Sequence, residues 1–495
     1  MNNETTHATQ AVAQPISANV VENINRLKDV FKQCADITFE RVAAGPDMAC
    51  SAWIVYCESL ADQQSTSDIL SVLQKMEMRR RGDGTAITEQ TIREWFEFQG
   101  VIDRSYFVHD TLESVVRKVL QGHVAFFVED WDRAVSFDGV KLETRGVDEP
   151  SSERAAIGPR EGTVENLSMN IGMLRLRLQT PDFKIVKIPN AGRKTGKEIV
   201  YGYLDGVVSP QVLRQFEQRI GRIRDIEIID TTMVEKLIQD SPRTPFPQCR
   251  YTERTDAAAL ALLEGKIIVM AQGSGVVLIC PALFAEFLQS IEDYYHRPAF
   301  TFFIRLLRFS AFLIALFLPS IYVALTTFHP ELIPTVLLLA ITNTREGIPF
   351  PSVIEVLIME FFFELLREAG IRLPQSVGSA VSIVGALIIG QAAIDSGIAS
   401  PIMVVIVALT GIASFSIPQY NFAIALRLLK VPFILLAATL GGFGIMVGII
   451  LLLMHLCSLR SLGQPYFEPI GPFRPRRFGM LFKAADLERP GRDAA

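Results

Sequence analysis

Between about residue 300 and residue 457 the chain carries four long runs without a charged side chain: Phe309–Phe328, Val377–Ile394, Pro401–Leu426 and Val431–Leu453. Each is about 18–26 residues long, and a helix needs roughly 20 to cross the hydrocarbon core of a bilayer. Core helices of soluble proteins seldom stay uncharged that long, because one face meets water. The last third of the chain therefore reads as an α-helical multi-span membrane domain, 301–457, and the rest must be organised around it.

The preceding residues have ordinary composition and are long enough for two more domains. A net charge of -5 gives no case for nucleic-acid binding. The first 20 residues are polar, without a basic start or an apolar core, and read as a disordered tail rather than a signal peptide. Arg297, Arg305 and Arg308 flank the first long run, whereas TTFHPELIP beyond it has no Lys or Arg. The positive-inside rule puts the N-terminal domains in the cytoplasm. The six cysteines are scattered without metal-ligand spacing, which predicts free thiols and no structural metal.

Residues 21–146 read as a first cytoplasmic domain. Val21–Cys34 has the spacing of an amphipathic helix, as does QSTSDILSVLQKMEMRRR, whose Arg79, Arg80 and Arg81 read as a solvated helix end. HVAFFVE and VSFDGVKLET read as strands. Pro, Ser and Gly among charges mark 147–163 as a linker. Residues 164–300 read as a second domain. It opens with the helical stretch TVENLSMNIGMLRLRL, capped by a Thr, with Leu167, Ile171, Leu174 and Leu178 in one stripe. Strands FKIVKI, KEIVYGYLDG and IEIID then alternate with helices SPQVLRQFEQRIGRI, TTMVEKLIQD and TDAAALALLEG. KIIVMAQ and GVVLICPA flank Gly273-Ser274-Gly275 as a hairpin. The cytoplasmic region is thus α/β in two subdomains.

This region contains no catalytic motif. Thr195-Gly196-Lys197-Glu198 resembles the end of a phosphate-binding loop, but glutamate stands where Ser or Thr is needed and the upstream Gly is missing. His109, His123 and His296 stand alone and read as structural. No cofactor and no enzymatic activity are expected.

The informative charges lie inside the membrane block. LIPTVLLLAIT (332–342) is apolar but too short to cross, and reads as a re-entrant piece. PSVIEVLIMEFFFELLREAG (351–370) is helical in pattern and carries Glu355, Glu360, Glu364, Arg367 and Glu368. Positions 360, 364, 367 and 368 share one face. Either the helix lies at the interface with its acids in water, or several copies arrange that stripe around a water-filled path, where carboxylate rings concentrate cations. A second pore candidate is the small-residue face of Gly378, Ser382 and Gly385, whose commoner use is close helix packing. Pro319 and Pro418 predict kinks. Gly441, Gly442, Gly444 and Gly448 allow tight packing of the last run. The basic segment RPRRFGMLFK reads as part of a cytoplasmic tail, 458–495. Arg427 and Lys430 also want the inside, and no simple count of crossings satisfies both.

Several runs resemble the A subunits of bacterial spore germination nutrient receptors, the GerA family: GPREGTVENLSMNIGMLRLRL, SPRTPFPQCRYTERTDAAALALLEGKI, YVALTTFHPELIPT, REGIPFP, LREAGIRLPQSVGSAVSIVGALIIGQAA and LRSLGQPYFEPIGPFRP. They span about Gly158 to Pro475, and the first 150 residues carry no comparable run. The resemblance implies a spore inner-membrane protein acting with a permease-like B subunit and a lipoprotein C subunit. It implies a homo-oligomeric ring, a pentamer in the family, embedded in membrane lipid and opening as a nutrient-gated cation channel. On that basis Glu355, Glu360, Glu364, Arg367, Gly378, Ser382 and Gly385 become pore-lining candidates. The alternatives are a paralogous subunit assisting dipicolinic acid release and a signalling scaffold without a pore.

Overall fold

The computed structural model describes residues 15–44, 50–62, 106–129, 131–140, 150, 153, 157–189, 196–223, 226–372, 385 and 388–473. The chain divides into two compact units, one of residues 1–239 and 251–281, the other of 240–250 and 282–495.

The first unit contains two five-stranded sheets. In the first, strands β1 (Ile37–Ala44), β2 (Cys50–Cys57), β3 (Tyr106–His109), β4 (His123–Val128) and β5 (Ala134–Asp138) run in the order β1-β2-β4-β5-β3. Every neighbouring pair is antiparallel. Helices α1 (Val20–Val30) and α2 (Leu112–Leu120) supply its core through Val20, Ile24, Leu27, Val115 and Val119. Asn19 and Thr111 cap them by accepting from Glu22 N and Ser114 N. HVAFFV and the start of VSFDGVKLET are strands as expected. The QSTSDILSVLQKMEMRRR stretch lies outside the described residues.

The second sheet has the order β6-β7-β9-β10-β8, with β6 Phe183–Lys187, β7 Ile199–Leu204, β8 Arg250–Thr252, β9 Ile267–Ala271 and β10 Val277–Cys280. Helices α3 (Leu167–Arg177) and α6 (Thr255–Leu263) share one core with it, built on Leu167, Ile171, Leu174, Ala258, Leu262, Ile268 and Ile279. Helices α4 (Pro210–Ile220) and α5 (Thr231–Ile238) bring further buried side chains, with Phe216 against Tyr201. All residues of β7 and β9 are buried, which is why their sequences read as continuous apolar runs. The expected hairpin joins β9 and β10. Two expectations are corrected. Asn166, not a threonine, caps α3, accepting from Met169 N. IEIID is not a strand: residues 226–228 have no assigned element and 229–230 form a bend.

The second unit is mainly helical: α7 (Pro298–Phe328), α8 (Thr335–Arg345), α9 (Ser352–Arg372), a helical stretch over 388–395, α10 (Pro401–Phe415) and α11 (Tyr420–Ser458). α7 and α11 are long and apolar enough to cross a membrane, with mean hydropathy 2.1 and 2.4. α7 runs unbroken through Pro319. The Pro401–Leu426 run is not one helix; it breaks at residues 416–419, around Pro418, as that proline's fixed φ and missing N–H favour.

The Val431–Leu453 run is not one straight span either. Gly441 adopts φ 62 and ψ -141, a break within α11. A Cβ on Gly444 would collide with the carbonyl of Leu436, and one on Gly448 would lie 2.6 Å from the ring of Phe433. Along a straight helix such pairs are about 12 Å or more apart. α11 is therefore a helical hairpin, and its glycines serve close packing between its own two arms. Where the hairpin returns, Tyr466 O accepts from Phe284 N, and Phe284 packs on Phe312 of α7. The helical part is thus entered and left at one end.

A carboxylate ladder as candidate functional site

Helix α9 forms because long-chain and aromatic residues fill it, with no proline after Pro351 and glycine only near its end. Its acids fall one to two turns apart, and each meets a different partner. Glu355 is fully buried; its Oε1 accepts from Ser400 N at 2.6 Å and Ser400 Oγ at 2.5 Å. Ser400 caps α10, so this carboxylate sits at a helix N-terminus, where negative charge is favoured. Arg345 Nε lies 3.7 Å from Glu355 Oε2. The same guanidinium donates to Ser352 Oγ, which also takes Thr326 Oγ1 at 3.0 Å.

One and a half turns on, Glu360 Oε2 accepts from Lys430 Nζ at 2.6 Å, with side chains only 11% and 8% exposed. Glu364 takes Arg427 Nη1 at 2.7 Å and Arg367 Nη1 at 3.3 Å. Arg367 donates to Ser414 Oγ at 3.2 Å and lies against the rings of Phe363 and Phe415, a cation–π arrangement. These pairings fix directions. Residue numbers rise on α9 as they fall on the first arm of α11, so the two are antiparallel. They rise together from Glu355–Ser400 to Arg367–Ser414, so α9 and α10 are parallel.

Glu355 and Glu360 thus face the bundle, Glu364 is half-exposed at 46%, and Phe361 and Leu365, 60% and 52% exposed, point outward. Glu368 lies at the surface, paired with Arg372 at 2.6 Å. Of the small-residue candidates, Gly385 packs on α9, where a Cβ would meet Leu366 Cδ1 at 2.7 Å. Gly378 and Ser382 lie outside the described residues. Sequence reasoning singled out Glu355, Glu360, Glu364 and Arg367 but not their partners on α11, although Arg427 and Lys430 share the i, i+3 spacing that faces one helix.

The α/β unit holds its own charge pair. Arg175 clamps Asp36 with two bonds, Nε at 3.0 Å and Nη2 at 2.8 Å, and donates to the carbonyl of Phe183 at 2.9 Å. Both side chains are essentially unexposed, at 0% and 3%. The clamp joins the segment before β1 to helix α3, and so one sheet to the other. Beside it, burial pushes the Cys57 thiol up to about 12 and the Cys34 thiol upward, which keeps both protonated and unreactive. His109 shares a 2.8 Å hydrogen bond with Ser136 Oγ, and burial, aided by Lys118, lowers it to about 4. It is a neutral core histidine. Among the described residues no three His, Cys, Asp or Glu side chains converge on a metal position.

An α/β region followed by a helical unit with two helices long and apolar enough to cross a membrane defines the class. The chain belongs to the GerA family: the model for the Bacillus/Clostridium GerA spore germination protein matches residues 25–489. That match begins within α1, so the first sheet belongs to the family as well, although no run there carried the resemblance. The chain is 39% identical to spore germination protein KA of Bacillus subtilis (strain 168), over 96% of this chain and 87% of that one. It is 38% identical to the uncharacterized membrane protein YfkQ of the same strain, over 97% and 92% of the two chains. The crystal structure of the N-terminal domain of the A subunit of the Bacillus megaterium spore germinant receptor GerK3 aligns with a TM-score of 0.42 at 25% identity, covering 55% of this chain and 98% of that one.

Proposed function

We propose that this chain is the A subunit of a spore germination nutrient receptor, whose helical unit crosses the spore inner membrane several times and, as a homo-oligomeric ring, forms a cation conduit. The single observation that carries the reading is the ladder. Three ionisable side chains of one helix, Glu355, Glu360 and Arg367, are drawn inside an otherwise apolar bundle with the half-exposed Glu364 paired beside them, and such groups at membrane depth mark ion pathways far more often than packing alone. Family membership and the naming of one relative as a membrane protein support the setting.

In the resting state Lys430 and Arg427 neutralise Glu360 and Glu364. Nutrient sensed by a permease-like B subunit, with a lipoprotein C subunit alongside, turns α9 so that its carboxylates leave those partners and line the conduit. The chain enters and leaves the helical part on the cytoplasmic side, which keeps the α/β unit and the basic tail in the spore core.

The test is potassium release from spores after addition of a mixed nutrient extract, with the gene deleted and then restored. Loss of release that returns on complementation supports the receptor. Normal potassium release with slow loss of dipicolinic acid overturns it in favour of a subunit for dipicolinate export.

A further inference from the structure

The break in the α11 hairpin is held by a side chain from another helix. His329, the residue that ends α7, receives the backbone N–H of Gly442 on its Nε2 at 3.2 Å. That N–H is one of the first of the second arm, a group with no partner inside its own helix. The approach is close on every side: a Cβ on Gly441 would lie 2.9 Å from Phe328 and 3.1 Å from His329 Nε2. The other ring nitrogen, Nδ1, faces Glu331 Oε1 at 3.5 Å. A ring that accepts at Nε2 carries its proton at Nδ1, on the side of that carboxylate.

We propose that His329 is a proton-operated latch, a protonation site that ties the hairpin tip of α11 to the end of α7 only while the imidazole is neutral. A second proton acts in two ways. It converts Nε2 from acceptor to donor, so the bond to Gly442 N–H cannot persist. It also places a positive charge against the positive end of the second arm's dipole, which repels it. Glu331 is the group that stabilises the imidazolium once it has swung free. Among the described residues, the hairpin places Gly441 and Gly442 against the ring and α7 places Phe328, none of which titrates. Protonation of the ring therefore frees the hairpin tip.

Amide hydrogen exchange of the segment spanning Gly441–Phe443, on the full chain in lipid nanodiscs and corrected for intrinsic rates, tests this between pH 5.5 and 8. The wild type should lose about tenfold protection or more on acidification, the scale of one lost backbone hydrogen bond. His329→Gln keeps an acceptor at the place of Nε2 but cannot titrate; its protection should stay high and flat with pH. His329→Ala should be unprotected throughout. A flat wild-type profile, or a His329→Gln profile that still falls with acid, overturns the latch. So does full protection in His329→Ala.

Discussion

The two units both bury charge, and they do so differently. Asp36 and Arg175 form a closed pair: two parallel bonds, further carbonyls for the guanidinium, and a ring of Phe183 beneath it. The ladder on α9 is open. Glu355 Oε2, Glu360 Oε1, Arg345 Nε and Arg367 Nε are buried without a hydrogen bond, and Glu364 is shared by two arginines. A closed pair has no better arrangement to move to, so it welds two sheets. An open network leaves buried groups unpaired, which costs stability where they are. The first is closed on itself, and the second would be free to exchange partners under the proposed gating.

The sharpest way to break this contrast is to remove one half of the weld. Asp36→Ala leaves a buried guanidinium uncompensated and should cost about 3–5 kcal/mol, read by urea unfolding of the full chain. A loss below about 1 kcal/mol would make the weld no firmer than the ladder. Next in size is the ladder. Lys430→Glu should lower thermal stability in detergent strongly, and adding Glu360→Lys should recover most of it. Failure of the exchanged pair to recover would mean that the rung is held by shape, not charge.

Gly441→Ala comes third. Its positive φ and the nearby Phe328 predict a loss of about 1–3 kcal/mol, with the hairpin intact at lower temperature. A neutral effect would show that the tip is not strained. Acid acts on the α/β unit through His109. Its folded value is lowered to about 4, so its contribution is complete above the ordinary histidine range and fades as pH falls towards that value. His109→Asn should flatten that part of the pH–stability curve. The smallest effect belongs to the exposed pair Arg117–Glu113, where Arg117→Ala should change stability by under about 0.5 kcal/mol.

Much of the second sheet was legible because alternation and turn residues act locally. β6, β7 and the β9–β10 hairpin follow from them, and Ser209-Pro210 marks the start of α4. IEIID alternates like a strand but joins neither sheet, which sequence spacing does not register. β1 and β2 were missed: ITFERVAA carries two charges at an edge position, which blunts the apolar pattern. The Asp36–Arg175 clamp joins residues 139 apart in sequence, so no local signal announces it. The hairpin in α11 hid for another reason. When both arms are apolar, hydropathy runs straight through a turn, and only the Gly441-Gly442 pair hints at it. In the ladder the acids were visible as an i, i+4 stripe, but their fate depended on which face met Lys430 and Arg427.

The most direct test of the central claim is potassium release from spores carrying Glu360→Gln with Glu364→Gln, with accumulation of the protein verified by immunoblot. If α9 lines a cation path on opening, the double variant accumulates normally and releases potassium at a clearly altered rate after nutrient. Release indistinguishable from the wild type, at equal protein levels, would contradict the assignment of this helix to the conduit.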